Sequence, residues 1–420
     1  MSWQPPPRPE WVLAVNRGEV APLADVAARP LEPDSLLDEA RAGLGLDRSA
    51  GVGAIDGDES FMVPLTVACR ALEDEAELNV IGRWATRRYL VRLLQVRFQL
   101  AALIASDPGV RDEEICAPVI VTGAPRTGTT ILYGLLAEDR AFRVPEGWEL
   151  LRPVPPPDPD HFPDPGRLVL AEEELRQMAT TVSSLDAIHV YGGRMPKECI
   201  SAMSFSFLTE ELTARYHVPS YVKLLMEADL RPAYEMHRLV LQVLQRRFGP
   251  VQWVLKSPVH LRTLPDLLAV YPDARVVITH RDPLTVLPSV SSLVATLRWA
   301  HSDHVELADI GRYHTELYHA ALDGLVDVDD AGVLDPARTH HGRYADFVDD
   351  PLGSVRRTYE ALGLELTDRT EQAMVEHLAA SPKGAKGEHR YSFDDLGLTR
   401  ATERERFARY CDRYSVPAEG

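Results

Sequence analysis

The run 119-VIVTGAPRTGTTILYGLLAEDR-140 sets two glycines, an arginine and three threonines between an apolar block and a helical pattern. Gly123 and Gly128 bracket a tight turn. The first N–H groups of a helix that starts there have no intrahelical acceptor, so the turn is built to receive phosphate oxygens. The glycine spacing is that of a nucleoside-triphosphate loop, yet Thr129 stands where such a loop carries its lysine, and Thr130 follows. Arg126 supplies a cation earlier in the turn instead. A kinase or NTPase needs charge at the β- and γ-phosphates and a magnesium ligand, and no acidic residue suited to hold magnesium ends a strand here. The loop therefore suits a terminal monophosphate or a phospho-anhydride. The plainer alternative is a glycine turn that only reverses the chain.

A second basic grouping is 281-RDPLTVLPS-289. Arg281 follows the apolar run 275-RVVITH-280 directly, and Asp282-Pro283 has the form of a helix cap with proline at the first helical position. A guanidinium at that strand end offers a two-pronged grip on phosphate. Ser289 lies two turns into the helix and reaches the same end only if Pro288 bends it. Taken singly, Arg281 reads equally well as a surface ion-pair partner, and Ser289 as a structural hydroxyl.

GAPRTGTT, with a glutamate twenty residues beyond its arginine, resembles the cofactor loop of sulfotransferases that use 3′-phosphoadenosine 5′-phosphosulfate (PAPS). The match is nearer to the bacterial and tyrosylprotein-type branch, whose loop runs Pro-Arg-Ser/Thr-Gly-Thr-Thr. An arginine leading a strand-to-helix turn, with a serine eight residues later, is that family's second signature. The two motifs span about residues 118–292, and the surrounding pattern extends through roughly 390. The first hundred residues are not covered.

That resemblance implies PAPS as donor, 3′-phosphoadenosine 5′-phosphate (PAP) as product, and no metal. It implies a 5′-phosphate loop of Gly123, Arg126, Thr127, Gly128, Thr129 and Thr130, with Arg281 and Ser289 on the 3′-phosphate. Lys256, in 253-WVLKSP-258, corresponds to a strand-end lysine that meets the bridging oxygen or the sulfo group. Glu146, in 144-VPEGWEL-150, stands where this branch places its general base. An alcohol acceptor needs a group to take its proton as attack proceeds, so Glu146, Arg126 and Lys256 are the expected catalytic set. Glu149 competes for the base role, as do His260 and His280. Lys386 and Arg390, in the basic stretch 381-SPKGAKGEHRYSF-393, resemble loosely a segment that closes over the 3′-phosphate. The competing functions are a metal-dependent nucleotide kinase and a noncatalytic nucleotide-binding protein.

These residues need a scaffold. Strand-like runs at 119–122, 251–255 and 275–280, each followed by helical patterning, predict an α/β, P-loop-like three-layer fold around a mostly parallel sheet, with ligands at its carboxyl edge. Residues 1–110 read as a helical extension that contributes to the substrate cleft, 111–400 as the α/β domain and 401–420 as a tail. Trp84–Ile104 is an apolar helix bordered by arginines, read as a core helix before a substrate wall. Residues 151–166 hold seven prolines and must be extended connector along a cleft rim or a plain rigid loop.

Composition narrows the partners. Lysine plus arginine number 45 against 63 acidic residues, a net charge of −18, which argues against a nucleic-acid footprint while leaving room for one small phosphate pocket. The four cysteines form no CxxC pair and read as reduced and structural. Neither His301, His304 and Glu306 nor His340-His341 has a full ligand set, so no metal site is expected. No secretion signal is evident, and no run approaches 18 uninterrupted apolar residues. A cytoplasmic protein acting on a hydroxylated small molecule or lipid is expected, with a homodimer left open.

Overall fold

The computed structural model describes residues 3–182, 192–380 and 391–419. Five strands form one sheet: β1 (Val119–Gly123), β2 (Phe142–Arg143), β3 (Gln252–Lys256), β4 (Arg275–His280) and β5 (Thr339–Arg343). Their order is β2-β3-β1-β4-β5 and every pairing is parallel. The chain leaves β1 toward β2 and β3 on one side and returns to β4 on the other. That reversal opens a crevice at the carboxyl end of β1.

Ten helices matter for the site: α1 (Pro33–Gly43), α2 (Met62–Asp74), α3 (Val80–Ser106), α4 (Thr129–Leu136), α5 (Gly147–Leu151), α6 (Pro165–Thr181), α7 (Arg231–Gln245), α8 (Pro283–Trp299), α9 (Leu307–Asp330) and α10 (Pro351–Ala361). Alternate residues of the strands point to opposite faces and so enter different cores. Ile120, Trp253 and Leu255 pack with α1, α2, α3 and α7. Val119, Val121, Val254 and Val277 pack with α4 and α10, while Val276 and Ile278 meet α8 and α9. The amino-terminal helices thus share one continuous core with a face of the sheet. Phe407, Tyr410 and Val416 are likewise buried in the cluster under α8.

Helix α3 is the framework of the amino-terminal part. Asn79 caps it by accepting from Gly82 N at 2.8 Å. By length and composition this helix could cross a membrane. In the fold, Leu90, Leu93, Leu94 and Leu100 are instead fully buried against other helices. Two of its arginines are buried as well: Arg87 reaches Glu39 at 2.7 Å, and Arg97 donates to Phe205 O at 2.8 Å. The arginine border is therefore only partly solvated.

Two local breaks have visible reasons. The helical pattern over 221–249 breaks into Pro219–Glu227 and α7, because Pro232 cannot donate within a continuing helix and starts a new one. Ser257 does not cap a helix. Pro258–Leu261 is a single 3₁₀ turn, and the Ser257 hydroxyl is buried without a partner.

Candidate active site

The phosphate-loop geometry starts from glycine. Gly123 ends β1 at φ 146°, and a Cβ there would lie 2.6 Å from Thr279 O on the neighbouring strand. Gly128 precedes α4 at φ 89°, a left-handed conformation that side chains resist. Arg126 also takes a positive φ, 69°. Thr127 braces the turn from inside: its hydroxyl donates to Ala124 O at 2.6 Å and lies 2.6 Å from the Thr279 hydroxyl. Thr129 and Thr130 open α4, so their amides face the turn.

The two basic groupings converge. Arg126 Nε donates to Ser289 Oγ at 3.2 Å, and Arg281 Nη1 donates to Arg126 O at 2.7 Å. Asp282 caps α8 through Leu284 N at 3.0 Å, which fixes Arg281 at the mouth of the crevice. Pro288 lies within α8, and Ser289 is buried beside the loop. The Arg281 guanidinium stacks 3.9 Å from the Tyr344 ring. It is also gripped by the Glu419 carboxylate, with Nη2 to Oε2 at 2.8 Å and Nε to Oε1 at 3.0 Å. Burial alone would lower the Arg281 pKa; the hydrogen bonds and charge of Glu419 outweigh it and raise it.

Lys256 ends β3 opposite Val121 of β1. Its buried ammonium donates to Thr130 Oγ1 at 3.2 Å and forms an ion pair with Glu198. Glu146 precedes α5. Its carboxylate accepts from Trp148 Nε1 at 2.8 Å and meets Arg194 Nε at 2.9 Å. One short segment ties the two sites together: Lys197 N donates to Pro145 O at 2.9 Å, and Cys199 N to Lys256 O at 3.0 Å. Extended chain from residue 197 to 199 spans at most about 7 Å, which bounds the backbone separation along this link.

The competing base candidates are held elsewhere. Glu149 is fully buried, pairs with Arg143 at 2.5 Å and accepts from Glu146 N at 2.9 Å. Desolvation raises its pKa against the opposing pull of Arg143. His260 is buried against the Tyr234 hydroxyl at 2.8 Å, and His280 lies between Tyr410 at 3.0 Å and His341 at 2.9 Å. Desolvation drives both rings well below the usual histidine pKa. His301 accepts its place in the core by pairing with Leu297 O at 2.9 Å. Lys386 and Arg390 lie outside the described residues.

Glu198 escaped the sequence reading. It stands in 196-PKECI-200 with no motif spacing to the loop, and only the tertiary pairing with Lys256 reveals it.

The Sulfotransferase family profile matches residues 118–368. The chain belongs to the sulfotransferase family. The matched segment of this sulfotransferase-family chain runs from the residue before β1 into α10 and beyond, and so contains the loop, Glu146, Lys256, Arg281 and Ser289. The chain is 29% identical over 284 residues to the omega-hydroxy-beta-dihydromenaquinone-9 sulfotransferase Stf3 of Mycobacterium bovis and of Mycobacterium tuberculosis, which covers 63% of this chain. It spans 65% of the length of those curated relatives. Among solved structures, sulfotransferase STF1 from Mycobacterium tuberculosis superposes with a TM-score of 0.77 at 31% identity, over 89% of this chain and 98% of that one. STF9 from Mycobacterium avium superposes with a TM-score of 0.82 at 27% identity, over 94% and 99%. The α/β fold with a parallel sheet is therefore the fold of those sulfotransferases, including the amino-terminal helices that the sequence resemblance left uncovered.

Proposed function

We propose that this chain transfers a sulfo group from PAPS to a hydroxyl of a small-molecule or lipid acceptor, without a metal ion. The observation that carries the reading is the contact of Arg126 with Ser289 and of Arg281 with the Arg126 carbonyl, which gathers both expected phosphate anchors into one crevice. The residues suit the donor: two guanidiniums and the α4 amides attract oxyanions, and the buried Ser257 hydroxyl beside Lys256 has no protein partner. The activity for which the Stf3 relatives are named, on an omega-hydroxylated dihydromenaquinone, supports a lipid-like acceptor class.

When bound, PAPS supplies a sulfo group on a phosphate leaving oxygen. Around it, the loop amides of Gly128, Thr129 and Thr130 and the Arg126 guanidinium neutralise the 5′-phosphate. Lys256, already against Thr130, presents its ammonium to the bridging oxygen. Arg281 and Ser289 hold the 3′-phosphate and fix the adenosine end, which orients the donor for in-line attack. Glu146 accepts the acceptor's hydroxyl proton. Its present donors, Trp148 Nε1 and the half-exposed Arg194, orient the carboxylate.

The reading is tested by calorimetric titration with PAP, 5′-AMP and ATP in chelator, for the wild type and Arg281→Ala. PAP is expected to bind at least 100-fold more tightly than 5′-AMP, and Arg281→Ala to remove most of that preference. Equal binding of PAP and 5′-AMP by the wild type excludes the 3′-phosphate site. ATP binding that collapses in chelator, with weak PAP binding, favours a kinase.

A further inference from the structure

A cleft of about 510 Å³ opens between α3 and α6, roofed by the connector that follows α5. Part of its wall is apolar, as an acceptor cleft's wall would be. What the proposed function does not explain is its charge. Five arginines line it, Arg88, Arg92, Arg152, Arg167 and Arg215, against Glu39 and Glu174, in a protein whose net charge is −18.

Ion pairing does not cancel this. Arg167 is matched by Asp164 at 3.1 Å and Arg215 by Glu211. Glu39 is consumed by Arg87 at 2.7 Å and Arg29 at 3.1 Å. Arg92 and Arg152 share the single carboxylate of Glu174, at 2.6 and 2.9 Å. Arg88 is exposed, stacks 4.7 Å from Trp84 and has no carboxylate partner among the described residues. Among the described residues, two positive charges are left over at one end of the cleft. There, Arg152 Nη1 is buried with no hydrogen-bond acceptor among those residues. An orphaned guanidinium N–H beside surplus positive charge is a vacancy for an oxyanion. Burial lowers the Arg152 pKa, and the neighbouring charges of Arg92 and Arg88 lower it further against Glu174.

The cleft also adjoins the chemistry. Arg167 stacks 4.8 Å from the Trp148 ring, whose Nε1 holds Glu146. Arg152 directly follows α5 and Glu146 directly precedes it, so only that five-residue helix lies between them. We infer that this cleft selects an acceptor bearing an oxyanion group remote from the hydroxyl that is sulfated, with an apolar body between them. Arg88, Arg92 and Arg152 are its specificity-determining residues. The inference rests on the proposed function, since it names the acceptor class of that site.

The test uses calorimetry on the full chain, with and without saturating PAP, with 10-hydroxydecyl phosphate and uncharged 1,10-decanediol as probes. The phosphate is expected to bind at least tenfold more tightly than the diol and to weaken as salt rises. Arg88→Ala, at an exposed position outside the ion pairs, and Arg152→Gln are each expected to weaken the phosphate at least fivefold and leave the diol unchanged. Equal affinity for the two probes, no binding of either, or indifference of the phosphate to both substitutions overturns the inference. PAP affinity measured on the same samples separates the failures: PAP binding retained without phosphate preference defeats only the cleft assignment, whereas loss of PAP preference over 5′-AMP defeats the cofactor reading beneath it.

Discussion

Arg281 shows what a residue's chemistry predicts and what its neighbour changes. A guanidinium at a strand end suits a phosphate, yet here two of its nitrogens are taken by Glu419, whose own N–H donates to Asp282 Oδ2 at 2.7 Å. A carboxylate and a phosphate compete for the same planar donor face. Glu419→Gln is therefore expected to strengthen PAP binding about tenfold, the worth of roughly 1.4 kcal/mol, and to leave 5′-AMP binding unchanged. Titration of both nucleotides decides it; an unchanged PAP affinity would mean that Glu419 does not occupy the nucleotide's place. Motif resemblance singles out Arg126, Arg281 and Ser289, because each taken singly has a plain structural reading. It could not name Glu198 or Glu419, since carboxylates are common and only folding sets these two against Lys256 and Arg281.

At the scale of the element, the turn between β1 and α4 is fixed by backbone conformation rather than by charge. Gly123 lies in the left-handed half of φ space and approaches the backbone of β4 so closely that a Cβ would displace Thr279. Gly123→Ala is expected to cost at least about 2 kcal/mol in unfolding free energy and to weaken PAP binding tenfold or more, measured by urea denaturation and calorimetry. Full retention of both would mean that β1 and β4 separate freely at this edge. The element pattern was readable here because apolar runs alternate with helical periods. It does not distinguish a helix start at Ser257-Pro258 from the single 3₁₀ turn found there; Tyr234, His260 and Thr263 hold that turn through their side chains.

Over the whole molecule, five histidines among the described residues belong to the core: His237, His260, His280, His301 and His314. Desolvation lowers His237 and His314 to about 3 and His301 to about 4. Unfolded histidine takes up a proton near pH 6.5. Between that pH and the depressed folded values, the unfolded state binds more protons, so stability present above pH 6.5 is lost as pH falls. Each such group contributes up to about 1.4 kcal/mol per pH unit in that window. The urea midpoint is expected to fall between pH 7 and 5.5, and more shallowly in His237→Gln; a flat midpoint would show that these rings are not kept neutral by the fold.

The sequence by itself determined the glycine turn after β1, the order of the strand-to-helix units and the placing of Arg126 and Arg281 beside strand ends. Those depend on local periodicity, glycine placement and the chemistry of a few side chains. Tertiary structure alone decided which carboxylates meet those cations, that His260 and His280 are core residues, and that the amino-terminal helices build an arginine-lined cleft. Burial and long-range pairing set these features, and both arise from residues far apart in the chain that only packing brings into contact.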